Sequence, residues 1–69
     1  MVLMRTPLTE GSEVTVIWLS GTEPGVVERI DDAGRTVTVV TEAGTVLEFH
    51  LMASLAFVTR DRSARLGPP

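Results

Sequence analysis

The chain has 69 residues, 43% of them hydrophobic, with nine acidic and six basic side chains for a net charge of −3, and it contains no cysteine. A fold this short buries only about 60% of the surface its unfolded form exposes, so there is no room for a second core, and the hydrophobic share sets it apart from disordered chains. Without cysteine there is no disulfide framework, thiolate zinc site or thiol nucleophile, and the acidic balance weighs against a nucleic-acid binder driven by phosphate contacts.

The opening Met1-Val2-Leu3-Met4-Arg5 lacks the basic stretch and apolar run of a signal peptide, and no apolar run approaches the roughly 20 residues that span a bilayer. A cytoplasmic location with no membrane partner is expected. All six basic residues are arginines, a bias that GC-rich coding accounts for without invoking function.

Val and Thr supply 19 residues, many in short runs bounded by glycine, which is the pattern of strands. An N-terminal arm over 1–9 precedes a single domain over 10–66. Gly11-Ser12 introduces a first strand, Glu13 to Leu19. Ser20 to Gly25, with a proline and two glycines, predicts a loop. A second strand runs from Val26 to Asp31, and Asp31-Asp32-Ala33-Gly34 suits a tight hairpin into a third, Arg35 to Thr41. Glu42-Ala43-Gly44 repeats that turn chemistry before a fourth strand, Thr45 to Leu51. Met52-Ala53-Ser54 is long enough for one tight helical turn. A fifth strand, Leu55 to Thr59, follows, and Ala64-Arg65-Leu66 offers a sixth. Gly67-Pro68-Pro69 ends regular structure, and the last four residues are expected to be loose.

Five, or six, short antiparallel strands in a meander, with a single helical turn before the last main strand, resemble the SH3-like small barrel. The stretch Glu10 to Glu42 is similar to a KOW or Tudor-type barrel, with Gly25, Val27 and Ile30 matching the family's glycine, an apolar residue two positions on and another three beyond. A spacing of three within a strand implies a bulge. The basic loop residues of KOW proteins have no counterpart in Ser20 to Gly25, which carries Glu23. The tyrosines of peptide-binding SH3 grooves are absent, and an aromatic cage for methyl-lysine has only Trp18, Phe49 and Phe57 to draw on.

Strand alternation turns Leu47, Phe49 and Leu51 inward and Val46, Glu48 and His50 outward, and puts Val37 and Val39 inside with Val27 and Ile30. In the first strand Val14, Val16 and Trp18 form one apolar set, yet Ile17 and Leu19 spoil the other face. That leaves Trp18, Leu19, Val40 and Val46 as a candidate apolar binding patch. The alternative is that Met1 to Leu8 or Ala64 to Leu66 folds back and covers it. Trp18 is either an exposed anchor or a core residue closing one barrel end, its N–H bonded to a loop carbonyl.

Catalysis is not expected. Ser12, Ser20, Ser54 and Ser63 lack a nucleophile motif, Glu28, Asp31 and Asp32 read as turn residues, and a chain this small has no room for a pocket of the usual 300 Å³ or so. A lone histidine cannot build a metal centre, so no metal or cofactor is expected, although His50 and Glu48 share a face and can pair. Arg60, Arg62 and Arg65 give the C-terminal tail a positive charge suited to phosphate or an acidic surface, or simply to water. The expected function is a non-enzymatic protein-interaction module, self-associating or a subunit of a larger assembly. The alternative is a KOW-like nucleic-acid-associated protein using those three arginines.

Overall fold

Branching at Cβ suits Val and Thr to an extended, half-buried backbone. The computed structural model describes residues 8–52 and 56–68. Six strands form: β1 (Glu13–Trp18), β2 (Gly21–Asp31), β3 (Thr36–Thr41), β4 (Val46–Leu51), β5 (Phe57–Thr59) and β6 (Ala64–Gly67). Each pairs antiparallel with the next and β6 returns to β1, so the sheet closes into the expected all-β small barrel, in its six-stranded form. The architecture is compatible with an SH3-like barrel.

Most of the expected loop from Ser20 to Gly25 is strand instead, from Gly21 onward. Leu19 and Ser20 alone join β1 to β2, because Trp18 pairs with Gly21 and the register continues to Glu13 opposite Val26. Pro24 is tolerated inside this ladder because its carbonyl faces away from β1 and accepts the Glu42 N–H at 3.0 Å; the N–H it lacks would have pointed the same way. From Gly25 onward the strand also pairs with β3, and the register slips between Val27, opposite Val39, and Arg29, opposite Thr38. Glu28 is therefore the extra residue of the bulge that the Gly25, Val27, Ile30 spacing predicts. The bulge keeps Val27 and Ile30 on the same inner face despite their odd separation, Val27 fully buried and Ile30 packed against the core.

The short helical turn lies elsewhere than expected. It occupies Asp32–Gly34 in the β2–β3 hairpin, where Ala33 (φ 54°) and Gly34 (φ 90°) both take the left-handed conformation and reverse the chain. The position expected for it, Met52-Ala53-Ser54, runs into residues 53–55, outside the described residues. The β3–β4 turn is Glu42-Ala43-Gly44 as predicted, with Gly44 at φ 89° donating its N–H to the Thr41 carbonyl at 2.8 Å.

The core consists of Val14, Val16, Val27, Val37, Val39, Phe49 and Ala64, with Leu8, Trp18, Ile30, Leu47, Phe57 and Leu66 packed around it. Leu66 and Gly67, expected among the loose ends, pair instead with Val16 and Thr15. Their pairing satisfies the β1 edge that β2 leaves open, which is what closes the barrel. Of the expected N-terminal arm, residues 1–7 lie outside the described residues. Leu8 packs on the core, and Gly11 donates its N–H to Val27 O at 2.7 Å.

Candidate functional site

Where β6 meets its neighbours, Arg65 stands opposite Ile17 of β1 and opposite Val58 of β5, and Ala64 stands opposite Trp18. Alternation turns Ala64 and Leu66 to the interior, so Arg65, Ile17 and Val58 share the outer surface. The β1–β2 tip and the β5–β6 turn rise at the end of this row and enclose a groove of about 330 Å³ lined by Ile17, Trp18, Leu19, Val58, Arg62 and Arg65, among others. A pocket of this size is not what so short a chain predicts. It forms at the barrel surface, between two turns, and reaches the edge of the core at Ala64 and Trp18.

Leu19 sits at the two-residue tip with its side chain wholly exposed, at 103%. Trp18 is half-buried and packs against the core. Its indole N–H donates to the Glu23 carboxylate at 2.9 Å, where a loop carbonyl was expected. Glu23 stands opposite Val16 and so points along the inner side of β2, toward the indole it satisfies.

The arginines are not on a loose tail. Arg60 and Arg62 belong to the β5–β6 turn and Arg65 to β6 itself. Asp61 organises that turn: its carboxylate accepts the Ser63 N–H at 3.1 Å, the Ser63 hydroxyl at 2.7 Å and the Thr59 hydroxyl at 2.9 Å. These bonds hold Arg62 at φ 60°, a left-handed conformation that costs a side-chain-bearing residue about 1 kcal/mol. Among the described residues, Arg29 forms an ion pair with Asp31 at 2.7 Å, and His50 Nε2 lies 3.1 Å from the Glu48 carboxylate, a contact that alternation predicts. Neither Arg62 nor Arg65 has a carboxylate partner there, so both charges are available beside the apolar groove.

The Ser63 bonds to Asp61, with help from Thr59, hold the Asp61 carboxyl below the usual aspartate range. A lowered folded-state value means that this carboxylate stabilises the fold above the ordinary aspartate pKa and that its contribution is lost as pH falls through the folded value. The melting temperature of Asp61→Ala is accordingly expected to lie below that of the native chain at pH 7, with the gap closing on acidification below about pH 4. A gap of constant size across that range would show that the charge plays no part.

The candidate patch of Trp18, Leu19, Val40 and Val46 does not come together. Val40 and Val46 pair with each other across β3 and β4, on the far side of the barrel from Trp18 and Leu19. The structure instead joins Trp18 and Leu19 to Arg62 and Arg65, while Ile17 and Val58, the groove's floor, gain their role only through pairing with Arg65. Phe49 is 0% exposed, and Phe57 and Trp18 both pack against the core, so the three aromatic side chains do not build a surface cage. Comparison with protein-family models, curated proteins and solved structures finds no match to this chain.

Proposed function

We propose that this chain is a non-enzymatic protein-interaction module that binds through the groove over β6. One observation carries the reading: a fully exposed leucine borders an apolar floor, beside two arginines that have no carboxylate partner among the described residues. Burying a leucine of this kind stabilises a complex by about 1.5–3 kcal/mol, and an apolar centre with a charged rim is the usual build of a protein interface. Ser63, in the groove wall, spends its hydroxyl on Asp61, which suits a structural rather than a nucleophilic role. A partner segment complementary to this site combines an aliphatic side chain with a carboxylate.

Selection of a random peptide library on the immobilised chain tests this. Enrichment of aliphatic, acidic peptides whose binding is lost in Leu19→Asp is the expected result. The KOW-like alternative draws on Arg60, Arg62 and Arg65 being gathered on one hairpin and its flank. If no peptide is enriched, or the chain binds only an oligonucleotide with log affinity falling by about 0.7 per phosphate contact against log salt, the protein-binding reading is overturned.

A further inference from the structure

The groove has a counterpart. Val40 of β3 stands opposite Val26 of β2 on one side and Val46 of β4 on the other, making a row of three outward-facing valines. Val26 is 45% exposed and Val46 61%. In a closed ring of six strands, β3 lies across the barrel from β6, so this row and the groove occupy opposite sides of the molecule.

Their charges are opposite too. Glu13 stands opposite Val26, Glu42 begins the turn that leaves β3, and Glu48 lies two residues beyond Val46 on the same outer face, all three exposed. Arg29, a basic residue nearby, is engaged by Asp31 at 2.7 Å. His50 approaches Glu48 at 3.1 Å, and only its protonated form would offset the acidic border. One side of the barrel is thus aliphatic with a glutamate border, the other aliphatic with an arginine border.

We infer that two copies of this chain associate head to tail, the valine row of one seated on the groove of the next. This rests on the reading of the groove as a protein-binding surface and names its partner. Leu19 and the floor formed by Ile17 and Val58 meet the three valines, while Arg62 and Arg65 face the glutamates. Because the two surfaces differ, each contact leaves one groove and one valine row free, and assembly continues into a chain or a ring of several copies rather than stopping at a two-fold dimer. A standard interface takes about 800 Å² from each partner. Two patches of a few side chains each fall short of that, which places the association in the weak class, detectable at about 0.1–1 mM protein.

Light scattering and ¹⁵N–¹H spectra of the full chain across that range test it. Mean mass is expected to rise with concentration, with amide shifts moving together at Leu19 and Arg65 and at Val40 and Val46. Arg65→Glu and Glu13→Arg should each weaken association about fivefold, and a mixture of the two should associate more strongly than either alone. Arg35→Glu, which changes net charge as Arg65→Glu does but lies off both surfaces, should have little effect. Glu13→Arg lowers the net negative charge, so weakening by that variant cannot come from general repulsion. Shifts confined to the groove, with Glu13→Arg silent, would mean a two-fold contact and overturn the head-to-tail arrangement. A monomer throughout would overturn self-association altogether, and peptide selection would then decide separately whether the groove binds protein.

Discussion

Phe49→Ala is expected to leave little cooperatively folded protein at room temperature. Phe49 is the largest fully buried side chain, and the others buried as completely are valines: Val16, Val27, Val37 and Val39. It sits on β4 between Val37 of β3 and Thr59 of β5, so it fills the barrel where those strands meet. Truncating a buried phenylalanine to alanine costs about 3–5 kcal/mol, through lost transfer energy and the cavity left behind. A domain of this length has a total stability of about 3–10 kcal/mol, at roughly 0.05–0.15 kcal/mol per residue. The surrounding valines are branched at Cβ and stiff at χ1, so they cannot swing in to fill the space. Urea denaturation followed by circular dichroism measures the effect. The midpoint should fall steeply or the transition vanish, whereas Phe49→Leu, which keeps most of the volume, should lose less than about 1.5 kcal/mol. A native midpoint in Phe49→Ala would mean that the core is not organised around this ring.

Gly25→Ala is expected to destabilise by about 1–3 kcal/mol, the cost of forcing atoms into a filled core. A Cβ at Gly25 would lie 2.7 Å from Val39 Cγ1, 3.3 Å from the Val40 carbonyl oxygen and 3.5 Å from Val16 Cγ2. Val39 and Val16 are both 0% exposed, so neither has anywhere to go. Gly67 provides the internal control. Its added Cβ would also meet a carbon at 2.7 Å, but that carbon is Cδ1 of Ile17, the tip of a longer side chain on the outer face. Gly67→Ala should therefore cost much less. If the contact with Val39 is the cause, Gly25→Ala combined with Val39→Ala should be more stable than the sum of the two single losses implies. Strict additivity would place the cost elsewhere.

The features legible from the residues alone are those set by local periodicity. Alternation placed Val37, Val39 and Phe49 inside and Val46 and Glu48 outside, because successive strand side chains point to opposite faces whatever the partner strand is. The odd spacing from Val27 to Ile30 announced the bulge for the same reason: two residues on one face three positions apart require an extra residue between them. The glycines at 34 and 44 marked their turns because left-handed backbone there suits a residue without Cβ. His50 and Glu48 were paired in advance by simple parity.

Pairing between distant segments was decided only by the tertiary structure. Gly21 to Pro24 reads as loop by composition, and it becomes strand because β1 offers it a complete hydrogen-bonding partner. Ala64 to Gly67 has too little apolar pattern of its own to be bounded from sequence; its ends are set by the open edge of β1. The site shows the same division. Leu19 and Arg65 are far apart in the chain, and their meeting depends on the register that sets Ile17 against Arg65. Trp18 and Val40 look alike as outlying apolar residues, yet Trp18 packs against the core from β1 while Val40 lies on the outer face of β3, with β2 between them. Side-chain alternation is a property of a single strand and can be read from it. Which strands close the ring, and which residues that closure gathers into a groove, depends on non-local contacts whose energy appears only when the whole barrel forms.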